Sequence, residues 1–346
     1  MRVRGVTIER QSWPLENVFR ISRGSKTTAD VLMVSIIEGS LIGCAEVVPY
    51  NRYNETIESV IAQIESVKHH IEKGVSTEFV NLLLPAGAAR NALDCALWDL
   101  EAKKHNSSVT TLTETKPFSG CVTAQTLSID TPEKMALAAE KLKDYPLIKI
   151  KFDQHQVLER MTAINRAAPN SQFIVDANEA WDLSLLNSIS GELKNLNVAL
   201  IEQPLSSEID QQLVDYNGPV PICADESIHT SEELEKVEKL YQYINIKLDK
   251  TGGLTEALKL LRKAQAKRLG IMVGCMVGTS LAMAPATILA SYADFVDLDG
   301  PALLAKDRQF GFTYDNGHMS ELNPNLWGGP AQPKKPDKQF RLFFKA

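Results

Sequence analysis

The sequence contains no uninterrupted apolar run of about 18 residues, which argues against a membrane-spanning helix. It has no excess of positive charge. Lys and Arg number 37 against 43 Asp and Glu, a net −6, so bulk electrostatics give no support to a nucleic-acid partner. The stretch from Lys334 to Ala346 is locally basic and reads as a short solvated tail. Arg2, Arg4, Glu9 and Arg10 interrupt the amino terminus at once, so no secretory leader is expected there. The five cysteines, Cys44, Cys95, Cys121, Cys223 and Cys275, are odd in number, scattered and without a CxxC. They read as buried free thiols in a reducing compartment, and a cytoplasmic location is the expectation. There is no GxGxxG and no P-loop, the two short motifs that cradle dinucleotides and nucleotide phosphates. None of the six histidines stands in a metal-spaced pair; His69-His70 reads as helix surface, and His229 lies just past a strand end. Cys275 has no partner histidine to mark it as a thiolate nucleophile.

What is present is a chain of 346 residues, 44% of them apolar, enough for a large core and for two domains. Up to about residue 120 the pattern is that of an α+β domain. Val31 to Ile37 is strand-like. Ile57, Val60, Ile61, Ile64 and Val67 form a helical stripe over 56–71. Ala89, Ala92, Leu93, Ala96, Leu97 and Leu100 form another over 87–103. The polar segment from Asn106 to Gly120 marks a boundary. From 121 to 300 strands and helical stretches alternate, with strand candidates ending near Ser128, Lys151, Asp176, Glu202, Asp225, Lys247, Cys275 and Asp297. Eight such units, each with a crossover long enough for a helix, predict an α/β fold of the (β/α)8-barrel type with an N-terminal α+β capping domain. Charged residues recur at nearly every strand end and not at a single crevice, which disfavours an open doubly wound sheet. Residues 301–346 are loop-rich and are expected to pack back onto the first domain, 1–120.

Three acids carry the chemistry. Asp176, Glu202 and Asp225 each close a short apolar run, and Lys151 and Lys247 close the runs on either side, in steps of 25, 26, 23 and 22 residues. A single charge ending an apolar parallel strand sits at the barrel rim. One acid there would read as a helix cap; three in consecutive units read as a ligand set. Carboxylate oxygens without His or Cys suit a hard cation, Mg²⁺ with Mn²⁺ as a substitute. Asn178 and Ser227 lie two residues beyond their acids and are expected to orient them.

Lys149 and Lys151 share one strand face, and Lys247 stands four strands further round a ring of eight. A substrate carboxylate between them would show one face to each side, so a proton removed on one side can be returned on the other. The competing reading is a structural ion pair with the acids. Mutual repulsion and the metal are expected to lower the lysine pKa values, leaving one a neutral base and the other an acid. Asp297 and Asp299 form a same-face pair at the last strand end and suit a substrate cation such as an α-ammonium. Arg23 and Lys26, in Arg23-Gly24-Ser25-Lys26, and Tyr53, in Pro49-Tyr50-Asn51-Arg52-Tyr53, lie on two basic loops. If the first domain covers the barrel mouth, these loops are candidates for a distal substrate carboxylate, Arg23 foremost.

These residues resemble the enolase superfamily in its muconate-lactonizing-enzyme branch, and within it the dipeptide epimerases. The matching stretches are Lys149-Ile150-Lys151, Asp176-Ala177-Asn178, Glu202-Gln203-Pro204, Asp225-Glu226-Ser227, Ile246-Lys247 with Asp249-Lys250-Thr251-Gly252-Gly253, and Asp297-Leu298-Asp299-Gly300. The resemblance covers essentially the whole chain. It implies a β7α-like barrel whose capping domain is completed by the C-terminal segment. It also implies one Mg²⁺ per subunit on Asp176, Glu202 and Asp225. Lys151 and Lys247 would be the opposed acid/base pair, and Lys149 would hold the substrate carboxylate. Asp297 and Asp299 would bind a dipeptide's α-ammonium, and Asn178, Ser227 and Asp249 would support the ligands. The reaction would be a 1,1-proton transfer at the second residue, with L-Ala-D-Glu from cell-wall peptide converted to L-Ala-L-Glu for recycling. The only partner expected is the small dipeptide, with homo-oligomerisation left open. Competing readings are an epimerase of other dipeptides, a cycloisomerase, an o-succinylbenzoate synthase, a Schiff-base lyase using a rim lysine, and a non-catalytic binding barrel.

Overall fold

The computed structural model of the chain describes residues 4–331; the basic stretch from Lys334, and the part of the expected C-terminal return beyond 331, lie outside the described residues. Three strands open it, β1 (Arg4–Ile21), β2 (Gly24–Glu38) and β3 (Leu41–Val47), as an antiparallel sheet in that order. Helices α1 (Ile57–Glu72), α2 (Thr77–Leu83), α3 (Ala88–Lys104) and α4 (Val109–Leu112) follow. Thr56 and Ser59 cap each other's backbone at the start of α1, and the predicted stripe buries Val60, Ile64 and Val67, continuing to Ile71. α3 is buried on nearly every face, which its run of alanines permits. It lies so close to β3 that a Cβ at Gly43 would overlap the Ala96 carbonyl and Leu100.

The strand β4 (Cys121–Val122) pairs with a late hairpin, β13 (Tyr314–Asp315) and β14 (His318–Met319), outside the barrel. The barrel strands are β5 (Gln125–Leu127), β6 (Leu147–Lys151), β7 (Gln172–Asp176), β8 (Val198–Glu202), β9 (Ile222–Ala224), β10 (Tyr243–Ile246), β11 (Gly270–Gly274) and β12 (Phe295–Asp297). They form one parallel sheet in sequence order, and Ala124 N donating to Val296 O (2.8 Å) joins its two ends. All eight predicted strands are found, ending within a residue of the expected positions.

The crossovers are less regular than expected. α5 (Pro132–Glu140), α6 (Val157–Ala167) and α7 (Leu183–Asn195) follow the first three strands, but β8 is followed only by a 3₁₀ stretch, Asp210–Asp215. Pro204, Pro219 and Pro221 bracket that crossover, and none has an amide hydrogen to give a helix. β9 leads to the one-turn α8 (Leu234–Val237). Beyond β10 come α9 (Leu248–Thr251) and α10 (Leu254–Ala266), and beyond β11 come α11 (Ser280–Met283) and α12 (Thr287–Ala290). β12 ends in a 3₁₀ turn and not a helix.

Inside the ring, Leu147, Ile174, Leu200, Cys223 and Met272 form one apolar layer with Ala124. Side chains two residues further along each strand point the same way. Those residues are Lys149, Asp176, Glu202, Asp225 and Gly274, so a charged layer rests directly on an apolar floor. The described part of the C-terminal segment lies against the first domain. Trp327 donates to Cys95 O (3.1 Å), Gly328 N donates to Asp99 (2.7 Å), and Arg308 pairs with buried Glu46 while its guanidinium lies over the Trp13 ring.

The tight α3–β3 contact gives a direct test. Gly43→Ala forces α3 outward and is expected to lower the unfolding free energy by about 1–3 kcal/mol. A shift of the urea midpoint reads this; an unchanged midpoint would show that the interface yields freely.

Candidate active site

The charged layer brings the predicted lysines, the three strand-end acids and the Asp297/Asp299 pair to one mouth. Lys149 stands at its centre, 1 % exposed, with Nζ 3.1 Å from Asp176, 2.6 Å from Glu202 and 2.7 Å from Asp297. Lys151 donates to Asp176 at 2.5 Å, and across the ring Lys247 donates to Asp225 at 2.6 Å. Gly274 makes room for this: a Cβ there would meet the Asn245 amide and Lys247 Cε. Asp297 and Asp299 lie beside Lys149. Asp299 accepts from Thr126 N at 2.6 Å, with Gln125 Nε2 at 3.5 Å.

Four participants lacked a legible signal or were passed over. Lys250, fully buried, donates to Asp225 Oδ1 (2.6 Å), the Asp225 carbonyl (2.5 Å) and the Asn245 carbonyl (3.0 Å). Asn245 donates to Glu202 Oε1 at 2.8 Å; it is two residues before Lys247, and the period of two marks it as same-face. Gln203 takes a left-handed backbone (φ 34°), and its Oε1 accepts from Asp225 N (2.8 Å) at the end of the neighbouring strand. Glu226, side by side with Asp225, faces Arg23 at 2.8 Å.

Two expected supports act elsewhere. Ser227 does not reach the acids; its hydroxyl meets Gln203 Nε2 (2.8 Å) and Tyr241 OH (3.2 Å), so it acts on Asp225 only through Gln203. Asp249 turns to the capping domain, accepting from Asn91 Nδ2 (2.9 Å) and Val48 N (3.3 Å), because the α9 turn carries it past the rim. Asn178 reaches its acid through the backbone, its main-chain N–H donating to Asp176 Oδ1 at 2.9 Å.

The strand-end acids act on the lysines directly. Burial pushes Lys149 and Lys247 toward neutrality, but Asp297, Glu202 and Asp176 around the first, and Asp225 and Glu202 around the second, outweigh it and hold both values up. Lys250 does move down, because there burial outweighs Asp225. Burial acts on the acids in the opposite sense, yet the lysines hold Asp176 and Asp225 below the usual carboxylate range. Glu202 is pushed up to about 7 by burial and by Asp176.

The capping domain closes the mouth, and a cavity of about 680 Å³ lies beneath it. Its walls include Lys149, Lys151, Lys247, Asp297 and Asp299 from the barrel and Arg23, Lys26 and Tyr53 from the cap. Arg23 sits in the β1–β2 turn, 27 % exposed, and donates to Asn178 O (2.9 Å), Glu226 (2.8 Å) and Tyr50 OH (3.2 Å). Lys26 is exposed and lies 5.6 Å over the Tyr50 ring. Tyr53 packs edge-on to His229, ring centroids 4.5 Å apart. Arg52 grips Glu179 through two bonds of 2.7 and 2.8 Å, pinning this loop to the barrel.

Among the described residues no three His, Cys, Asp or Glu side chains enclose an ion as they stand, because the Lys149 ammonium lies between the acids. The donor set nevertheless fits a hard divalent cation. All three side chains offer carboxylate oxygens, and Glu202 Oε2 is buried without a hydrogen bond of good geometry, although Lys149 is near.

Comparison with known proteins agrees with this geometry. Residues 3–113 match the N-terminal domain of mandelate racemase/muconate lactonizing enzymes, and residues 133–321 match the enolase C-terminal domain-like family. An N-acetyl-D-glutamate racemase from a Pseudoalteromonas species is 51% identical, over 86% of this chain and 95% of its own length. The L-Ala-D/L-Glu epimerase of Escherichia coli K12 is 44% identical, over 92% and 99%. An enolase family member from Agrobacterium tumefaciens, with homology to dipeptide epimerases and crystallised with sodium and L-Ala-L-Glu, superposes with a TM-score of 0.92. It is 42% identical over 94% of this chain and 100% of that one. A dipeptide epimerase from Enterococcus faecalis, in complex with Mg and L-Leu-L-Tyr, gives a TM-score of 0.86 at 25% identity over 93% and 97%. Both of the first two relatives are epimerases or racemases, that is, isomerases. With both domains matched and the opposed lysines and strand-end acids in place, the chain belongs to the mandelate racemase/muconate lactonizing enzyme family of the enolase superfamily.

Proposed function

We propose that this isomerase is a dipeptide epimerase that interconverts L-Ala-D-Glu and L-Ala-L-Glu, serving the recycling of cell-wall peptide. The observation that carries this reading is one cavity lined by Lys151 and Lys247 on opposite walls and by the Asp297/Asp299 pair between them. The acid pair takes the dipeptide's α-ammonium, which fixes the substrate's direction. Lys149 faces the terminal carboxylate of the second residue. Lys151 and Lys247 then address the two faces of that residue's α-carbon; one removes the proton and the other returns a proton to the opposite face. For either to act as base, its carboxylate partner, Asp176 or Asp225, must release it. Asp176, Glu202 and Asp225 would hold Mg²⁺, or Mn²⁺ in its place, which supplies positive charge where the substrate carboxylate gains negative charge. Arg23 is the candidate for the glutamate side-chain carboxylate, with Lys26 and Tyr53 beside it.

In D₂O, proton NMR should show loss of the glutamate α-proton signal of L-Ala-D-Glu and growth of the L-Ala-L-Glu diastereomer. Lys151→Ala and Lys247→Ala are each expected to slow epimerisation by about 10²–10⁴-fold. Each should retain solvent exchange of only one of the two diastereomers; full turnover in both variants would sink the two-base scheme. Arg23→Met should raise KM for L-Ala-D-Glu by about tenfold, the value of a charge-assisted hydrogen bond, and an unchanged KM would remove Arg23 from substrate contact. Metal binding is testable without activity. Mg²⁺ added to chelator-treated protein should raise the melting midpoint, and Glu202→Gln should abolish the increment. An equal increment in that variant would place the ion elsewhere.

A further inference from the structure

Two relatives act, by name, on compounds that differ at one end. An N-acetyl group is an alanyl residue stripped of its ammonium and its methyl, so N-acetylglutamate lacks the one group that the Asp297/Asp299 pair would bind. The cation beside the pair is Lys149, which it shares with Asp176 and Glu202. Asp297 Oδ2 is held by Lys149 at 2.7 Å, while its Oδ1 is buried with no hydrogen-bond partner. Asp299 leans on neutral donors, Thr126 N and Gln125. Both acids are 4 % exposed and line the cavity. Two buried carboxylates against one shared ammonium leave at least one negative charge without a match. A dipeptide's α-ammonium cancels it. An N-acyl substrate cannot, and would leave a desolvated carboxylate against a methyl group.

We propose that Asp299 acts as a proton-set selector, so that this site also racemises N-acylated glutamate: it takes the dipeptide when Asp299 is ionised and the N-acyl amino acid when Asp299 carries a proton. This rests on the epimerase reading, with the same lysines performing the same proton transfer. The proton supplies the missing positive charge, and a neutral carboxyl can share the pocket with an acetyl group.

The surroundings place the switch on Asp299. Burial, and then the neighbouring Asp297, push its carboxyl up to about 7, against the pull of Thr126 and Lys149. The charged and titratable groups around it are Asp297 on β12, Lys149 on β6, Cys275 after β11 with Lys247 near it, and Tyr314 on β13. β5 contributes only the uncharged Thr126 and Gln125. Burial holds the Cys275 thiol and the Tyr314 phenol well above their ordinary values, so both stay protonated. Lys149 and Lys247 are held in their charged forms.

The test is kcat/KM for N-acetyl-D-glutamate relative to that for L-Ala-D-Glu, both followed by α-proton exchange between about pH 5.5 and 7.5, where the dipeptide's amine, pKa about 8, stays charged. Titration of the catalytic lysines is common to both substrates and cancels in the ratio. If one form of Asp299 serves each substrate, the ratio climbs about tenfold for each unit the pH falls. Asp299→Asn, neutral at every pH, should raise the ratio further and flatten its pH dependence, which a merely damaged site would not do. The wild-type profile decides the matter even if that variant does not fold. A ratio that is flat with pH, or N-acetyl-D-glutamate inert at every pH while the dipeptide turns over, overturns the proposal and leaves the epimerase intact. If neither compound exchanges, the epimerase reading fails and the selector fails with it.

Discussion

Lys149 places one ammonium within 3.1 Å of Asp176, 2.6 Å of Glu202 and 2.7 Å of Asp297, with almost no access to water. In a medium of low effective dielectric, like charges this near repel strongly, and each buried ion loses its hydration. The site persists because acids and lysines neutralise one another in place. The apolar layer of Leu147, Ile174, Leu200, Cys223 and Met272 fixes the height at which these charges emerge. Exclusion of water from below also strengthens every charge interaction above. Protonation states therefore belong to the cluster and not to single residues, which is why Lys149 and Lys247 are held up while Glu202 drifts toward 7.

The capping domain is tied to this cluster by contacts of the same charged kind. Arg52 grips Glu179, Arg23 bridges Asn178 and Glu226, and Asn91 meets Asp249. The β1–β2 turn that carries Arg23 is also docked beside the first barrel strand, where Ile129 N donates to Arg20 O. Arg23 is thus bound at the seam between cap and barrel. On the proposed reading, a substrate carboxylate reaching Arg23 shares it with Glu226. Chemistry sits on short rigid strands and recognition on a long hairpin, a division that lets substrates vary while proton transfer stays fixed.

The strand ends were legible because a parallel barrel strand is apolar until it reaches the rim, and a single charge then declares its position. The ring of eight and the opposition of Lys149/Lys151 to Lys247 follow from that pattern, and the α1 and α3 stripes from the helical period of 3.6. What the sequence hid depends on backbone departures and on third parties. Gln203 serves Asp225 only because its φ is positive, and Ser227 then pairs with Gln203. Asp249 looks like part of the Lys247 group, yet the α9 turn sends it to Asn91. Repulsion between lysines is visible in sequence, whereas a carboxylate 2.6 Å from Lys247 is visible only in space. The helix expected after β8 fails for a local reason, three prolines in one crossover.

An epimerase must treat two mirror faces of one carbon nearly alike, and the charge layout meets that demand. Asp176 receives Lys151 and Lys149; Asp225, across the ring, receives Lys247 and Lys250. Each outer acid thus faces two lysines, one lining the cavity at 2.5–2.6 Å from the acid. The symmetry is incomplete, and the difference is informative. Lys149 opens onto the cavity and Asp297, whereas Lys250 is consumed by the backbone carbonyls of Asp225 and Asn245. Only one flank can therefore lend its second lysine to a substrate carboxylate. The opposite flank uses its second lysine to hold Asp225 and the start of the α9 turn together. On the proposed reading, the reacting carboxylate is drawn to the Lys149 side. The α-carbon would then stand between Lys151 and Lys247, its two faces distinguished by what stands behind those lysines and not by the lysines themselves.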